Sequence, residues 1–269
     1  TQVAGRRQRQ MCIRDRGYTI RDYGNRVGHV RQMEVLDRYG VRGSISLSTA
    51  LCEHHPEIIA MCADRNWEFF SHGIYNTRYT YGMSVEQERD MIRDSMETIQ
   101  RHTGQHCAGY LAPALSHSEL TLDLFAEVGT ELAGDDAGIY TCDLFHDDQP
   151  TPIHLRSGKA FVSVPYSLEM NDTIAYVVNK VEPRRYGQML RDNFDRLYQE
   201  GATSGTVMCI PTHNYQVSCP HRLKAFEEAL EYITGHSEVW VTTGREIARH
   251  FIDHYHQLCV DDIATRGER

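Results

Sequence analysis

No CxxC pair occurs among the eight cysteines, which stand at positions 12, 52, 62, 107, 142, 209, 219 and 259. That spacing excludes a zinc ribbon, and a chain of this size needs no disulfide framework. Buried free thiols in a reducing, cytoplasmic compartment are the expectation. No apolar run approaches the ~20 residues of a membrane span. The longest, IIAMCA at 58–63, suits a buried helix face, so no membrane partner is expected. Basic residues are not in excess: 28 Lys+Arg against 37 Asp+Glu leave a formal charge of −9. An acidic chain has nothing to offset phosphate repulsion over a broad face, so nucleic acid is not an expected partner. No GxGxxG follows a candidate strand and no GxxxxGK[ST] occurs, which leaves nucleotide binding without support.

What remains is an ordinary globular composition, 41% hydrophobic and 24% charged over 269 residues, enough for one large domain or two small ones. Residues 6–16 read RRQRQMCIRDR, with five arginines and no apolar period. A basic tail is one reading. The preferred one is translated adapter sequence, so that residues 1–16 stand outside the fold and the native chain begins upstream. The expected organisation is a segment 1–16, a barrel domain 17–258 and a tail 259–269.

Short β-rich runs alternate with helical stripes. The candidate strands are 43–48 (GSISLS), 67–72 (WEFFSH), 107–113 (CAGYLAP), 139–143 (IYTCD), 161–166 (FVSVPY), 205–213 (GTVMCIPTH) and 239–242 (VWVT). Helices between them carry start and stop signals. Ser84 with Gln87, Ser116 with Glu119, and Thr243 with Glu246 are spaced as capping pairs, while Gly201 and Gly235 follow the last apolar residue of two stripes. Strand–helix repetition of this kind predicts a parallel α/β domain, and seven visible strands suit a barrel one strand short of eight.

The residues that end the strands are polar. His72, Asp143 (followed by Asp147 and Asp148) and His213 would share the C-terminal rim of a parallel barrel, together with Pro113. Imidazoles and carboxylates at one rim can supply a general base, a general acid or a metal site.

Several segments also resemble a known family in their order. They are Ser71-His72-Gly73-Ile74-Tyr75-Asn76-Thr77, Gly109-Tyr110-Leu111-Ala112-Pro113, Cys142-Asp143 with Asp147-Asp148-Gln149-Pro150, Val164 to Asp172 (VPYSLEMND), and Pro211-Thr212-His213. This set resembles the polysaccharide deacetylase superfamily (NodB-homology domain), nearest the branch of cofactor-independent allantoinases and peptidoglycan-deacetylase-like proteins. Tyr23-Gly24-Asn25-Arg26-Val27-Gly28 matches that branch's YGxRxG segment. The resemblance spans about residues 20–256. It implies a distorted (β/α) barrel of about seven to eight parallel strands, hydrolysis of a non-peptide C–N bond, and a homotetramer. The substrate it implies is a small amide or ureide, or an N-acetylated sugar.

Departures from the family pattern bear on the metal. Zinc-dependent members carry an Asp on the first strand and His-x-x-x-His; here Asn76 follows His72 at that spacing, the first strand with its acidic motif is absent, and Ala112 replaces the Arg ahead of the third-motif Pro. A neutral amide is a poor zinc ligand. No cofactor, or a weak divalent metal such as zinc with His72 as its ligand, is therefore expected.

The roles follow from what amide hydrolysis needs. His213 is the candidate general acid, and His72 would hold the water, the carbonyl or a metal. Asp143, Asp147 and Asp148 form a carboxylate cluster suited to acid–base work, with loop capping as the competing role. Asn76, Pro113, Tyr166, Glu169, Asn171 and Asp172 would line or buttress the pocket. A turn at Asn171-Asp172 is the competing reading. Tyr23 and Arg26 would bind substrate or pin a helix N-terminus. A non-catalytic carbohydrate-binding barrel and a zinc-dependent sugar deacetylase are the alternatives.

Overall fold

The computed structural model describes residues 17–267, so the expectations for residues 1–16 lie outside the described residues. Contacts divide the chain into two compact units. One comprises 42–166, 197–208 and the chain from 240 onward; the other comprises the chain up to 41, 167–196 and 209–239.

The first unit is α/β. Its strands are β1 (Ser44–Leu47), β2 (Glu68–Ser71), β3 (Gly109–Tyr110), β4 (Tyr140–Thr141), β5 (Thr151–Pro152) and β6 (Val162–Ser163). They form one open sheet in the order β1-β2-β3-β4-β6-β5. All pairings are parallel except β5 with β6. The helices are α2 (Leu51–His54), α3 (Pro56–Ala63), α4 (Val85–Thr103), α5 (Thr121–Ala133), α8 (Gly244–His254) and α9 (His256–Gly267). This is the mostly parallel sheet that the alternation predicts. Phe70, Leu111, Tyr140, Val162 and Val164 make a core with Ala248 and Phe251 of α8.

The expected seven or eight parallel strands are not all there. Residues 205–213 and 239–242 join no ladder, and the sheet is open among the described residues. β5 was not expected; its antiparallel pairing closes one sheet edge. β-rich composition marks a segment that can pair, but a ladder also needs a partner edge at the right register. The strands β3 and β4 are shorter than expected because side chains take over beyond them: the N–H of Ala112 donates to the Asp143 carboxylate instead of a strand carbonyl.

Helix signals fared unevenly. Ser84 and Gln87 form a reciprocal capping box at α4, which ends on Gly104 in the left-handed region. Ser84→Ala should cost about 1 kcal/mol, measurable as a lower urea midpoint; an unchanged midpoint would count against the cap. The expected Ser116–Glu119 pair caps nothing. Ser116 Oγ donates to Pro113 O (2.8 Å), and α5 starts later, where Ser118 N donates to Thr121 Oγ1 (2.8 Å). At α8, Thr243 is the N-cap residue but its side chain makes no capping hydrogen bond. Strand residues cap this helix instead: Ser44 Oγ accepts from Gly244 N (3.1 Å) and buried Glu68 accepts from Arg245 N (3.0 Å). Glu246 is drawn away by Arg42, whose guanidinium holds its carboxyl below the usual range.

Gly109 shows how tightly this unit is packed. A Cβ there would lie 1.9 Å from the Tyr140 ring, whose hydroxyl donates to Glu68 (2.7 Å). The cysteines at 52, 62, 107, 142, 209, 219 and 259 form no disulfide. Burial pushes the thiols of Cys62 and Cys107 up to about 12, so neither is a ready nucleophile.

The second unit is helical. Residues 17–23 are helical and widen into a π turn, Gly24–Gly28, which continues as α1 (His29–Arg38). A second π turn, Ile174–Val178, precedes α6 (Pro183–Glu200), and α7 (Pro220–Thr234) follows. The predicted stripes are buried: Tyr186, Leu190 and Phe194 on α6, Phe226, Leu230 and Ile233 on α7. Gly187 lets these helices meet, since a Cβ there would sit 2.7 Å from Ala225 O.

Candidate active site

In the α/β unit, parallel pairing brings the residues that follow β2, β3, β4 and β6 to one edge of the sheet. His72 directly follows β2. Its Nδ1 lies 2.6 Å from Leu111 O and its Nε2 lies 2.8 Å from Asn76 Oδ1. A carbonyl only accepts, so Nδ1 carries a hydrogen. Nε2 then donates to Asn76 as an imidazolium, or accepts from the amide turned over.

Asp143 lies on the far side of the same peptide group. Ala112 N donates to both its oxygens (2.9 and 3.1 Å), and Thr141 Oγ1 donates to Oδ2 (2.9 Å). Asp143 and His72 thus flank the Leu111–Ala112 peptide. Pro113 is buried, starts a 3₁₀ turn, and would meet a Cβ placed on Gly73 at 3.2 Å. Tyr166 is half-buried, 5.7 Å from the ring of Phe145.

Burial separates the three expected carboxylates: Asp143 is buried, while Asp147 and Asp148 are exposed on the loop ahead of β5. Asp147 Oδ1 accepts from Gln149 N (2.9 Å), a turn that fixes the loop.

The helical unit holds the other histidine. Asp172, with no exposed surface, accepts from His213 N (2.8 Å) and Val217 N (3.1 Å) through Oδ2, and its Oδ1 lies 2.7 Å from His213 Nδ1. Thr173 Oγ1 is 3.1 Å from the same nitrogen. The His213 side chain is 37% exposed. This is a carboxylate-oriented imidazole with its other nitrogen free to exchange a proton. Asp172, fully covered, does not line a pocket itself but buttresses His213, the second of the two readings given for it. Asn171 is likewise buried, and its Oδ1 accepts from Thr173 N (2.9 Å) to turn the chain into the π helix. Glu169 is exposed.

Tyr23 and Arg26 lie in the helical unit, each bonded to a neighbour on its own helical run. Tyr23 OH accepts from Arg31 Nη1 (2.6 Å), and Arg26, 73% exposed, pairs with Asp22 (3.7 Å). The glycines of the YGxRxG segment stand at close approaches. A Cβ on Gly24 would lie 2.4 Å from Asn214 Oδ1, and one on Gly28 would lie 2.1 Å from Asn214 O. The segment packs directly on the residue after His213.

A zinc ion does not fit what is described. Both nitrogens of His72 are engaged, the residue at the second-histidine spacing is Asn76, and no three His, Cys, Asp or Glu side chains cluster among the described residues.

Residues 17–133 match the polysaccharide deacetylase family model. A peptidoglycan deacetylase of Helicobacter pylori is 26% identical over 262 residues, covering 86% of this chain and 85% of that protein. The crystal structure of Puue allantoinase superposes with a TM-score of 0.79 at 26% identity, covering 88% of this chain and 76% of that one. The polysaccharide deacetylase family model thus spans 17–133 of this chain, and these relatives support a hydrolase of carbon–nitrogen bonds, the class its ordered motifs imply. A probable polysaccharide deacetylase from Pseudomonas aeruginosa PAO1 agrees with this placement, with a TM-score of 0.78 at 26% identity over 88% of this deacetylase-like chain and 76% of its own. These neighbours also supply the barrel-type fold against which the open sheet is read.

Sequence reasoning missed one residue near Asp143. His117 Nε2 lies 2.8 Å from Asp143 Oδ2. The residue was hidden inside SHSEL, which reads as a capping segment.

Proposed function

We propose that this chain hydrolyses the amide of an N-acetylated sugar, with His213 as general acid and Asp172 as the group that orients it. The observation that carries this reading is the Asp172–His213 pair. A buried, fully bonded carboxylate fixes Nδ1, so Nε2 is the nitrogen left to give a proton to the departing amine. The family and the peptidoglycan deacetylase relative support the sugar amide as substrate class. In the reaction, water adds to the acetyl carbonyl, and the carbon–nitrogen bond breaks as His213 protonates the nitrogen.

A cyclic ureide is the second reading, favoured by Asn76 where metal-dependent relatives carry histidine and by the allantoinase neighbour. Both substrates present a carbonyl bonded to nitrogen, so the same groups serve.

The test is turnover by the purified chain. Acetate release from an N-acetylglucosamine oligomer, unaffected by chelator and reduced about 10²–10⁴-fold in His213→Ala, is expected. Ring opening of allantoin without acetate release selects the second reading. Activity lost to chelator with near-stoichiometric zinc selects a metal-dependent deacetylase. Saturable sugar binding without turnover, unchanged by His213→Ala, would leave a binding barrel.

A further inference from the structure

The carboxyl end of α8 carries two imidazoles that none of these roles uses. His250 and His254 stand four residues apart, and both are exposed. On a helix that spacing puts them on one face, one turn apart. Their ring centroids are 4.5 Å apart, with the planes at 31°. Two more rings stand beside His250: Trp240 at 5.4 Å and Tyr255 at 5.7 Å between centroids.

The tautomer of His254 is set by its own helix. Its Nδ1 lies 2.9 Å from His250 O, and a carbonyl only accepts, so Nδ1 carries a hydrogen. In the neutral ring Nε2 then holds the available lone pair. A ring N–H given to a main-chain carbonyl is the usual support behind a metal-ligating imidazole, because it fixes the ring and raises the basicity of the other nitrogen. The charge of an ion also suits the place. His254 is the last residue of α8, where the helix dipole ends in partial negative charge that a cation offsets.

We propose that His250 and His254 form an open site for a divalent transition ion, Ni²⁺ or Cu²⁺. Imidazole suits both ions, and both stand high in the affinity order of the first-row metals. Two nitrogens that share an ion at about 2 Å each must lie about 3 Å apart. His254 keeps its place, held by the carbonyl, and the exposed His250 ring turns about its side-chain bonds to bring a nitrogen to the same ion. Two protein ligands are fewer than a closed structural site has, so water fills the other positions and the ion exchanges with solvent. Once bound, the ion ties the last turn of α8 across its exposed face. The site shares no residue with the hydrolase groups and does not rest on that reading.

The experiment titrates the full chain with Ni²⁺, which leaves thiols unoxidised, and reads tryptophan fluorescence. Of the two tryptophans, Trp240 is 57% exposed beside His250, and Trp67 is buried at 4%. A paramagnetic ion on the histidine pair should quench Trp240 saturably, with one ion bound per chain. His250→Gln and His254→Gln place a good helix former at exposed positions, so both should keep the wild-type urea midpoint in chelator. Each should bind Ni²⁺ about 10²-fold more weakly, because the second imidazole joins the ion at high local concentration. Ni²⁺ should also raise the urea midpoint of wild type while leaving that of each variant near its metal-free value at the same concentration. Binding as tight in either variant as in wild type would mean that the two rings do not share the ion, and overturns the proposal. Absence of saturable quenching in wild type overturns it as well.

Discussion

Asp172→Asn will leave the helical unit folded and remove most of the turnover. Asn has the shape of Asp, and its carbonyl oxygen can keep accepting from His213 N and Val217 N, the two main-chain donors now held by Oδ2. That arrangement turns its NH2 group toward His213 Nδ1, where Oδ1 now lies at 2.7 Å. An amide N–H cannot accept the Nδ1–H of an imidazolium. The ring is driven to the tautomer that accepts at Nδ1, and the acid needed for the leaving nitrogen is no longer supported. The expected fall in kcat is about 10²–10⁴-fold, with KM and far-UV circular dichroism near wild type.

Asp172→Ala separates structure from chemistry. It leaves both main-chain donors unsatisfied in a fully covered position, at a cost of about 3–5 kcal/mol, seen as a lower urea midpoint. If Asn at 172 retained full turnover, the pair would be only a brace for the loop, and His213 would lose its assigned role.

The helices were legible because each carries its information locally. The α6 stripe of Tyr186, Leu190 and Phe194 repeats at helical spacing, and Gly201 follows its end. Ser84 and Gln87 lie three residues apart and need no other part of the chain. The caps that failed were those decided by tertiary partners. Glu68 and Ser44 reach the α8 N-terminus from strands that lie far away in the sequence, and no local spacing reports that. The strand lengths failed for a similar reason. A two-residue ladder such as β3 is too short for alternation to define, and its limit is set by the Asp143 carboxylate taking the next N–H.

The site followed the same division. His72, Asp143 and His213 were visible as polar residues closing apolar runs. Their partners were not, because Asp172 and His213 are 41 residues apart and His117 sits in a stretch of hydroxyl residues that suggests a cap. Glu169, Asn171 and Asp172 were read together as pocket residues. Burial splits them: the fully covered carboxylate holds the histidine, the buried amide builds the turn, and Glu169 is exposed.

The YGxRxG segment was legible as a motif and misread in its emphasis, since the work of a glycine is to leave space and the neighbour that fills it is known only from the fold. Gly28 gives the sharpest test. Its backbone is ordinary helix (φ −63°, ψ −41°), so helix propensity alone makes Gly28→Ala stabilising by about 1 kcal/mol. Packing opposes that gain: the new Cβ would lie 2.1 Å from Asn214 O, a main-chain atom that cannot swing aside. The segment from His213 to Ser218 must shift, and it carries both the imidazole and the Val217 N–H that Asp172 holds. Overpacking of this kind costs about 1–3 kcal/mol, and displacing the acid by an ångström costs about 10²-fold in rate. Gly17→Ala is the control within the same helical run, where a Cβ would meet nothing nearer than Arg21 Nη1 at 4.0 Å. There the propensity gain stands unopposed. The two substitutions should therefore move the urea midpoint in opposite directions, and only Gly28→Ala should slow turnover. Equal midpoints with full activity in both would show that the glycines do not set the position of His213.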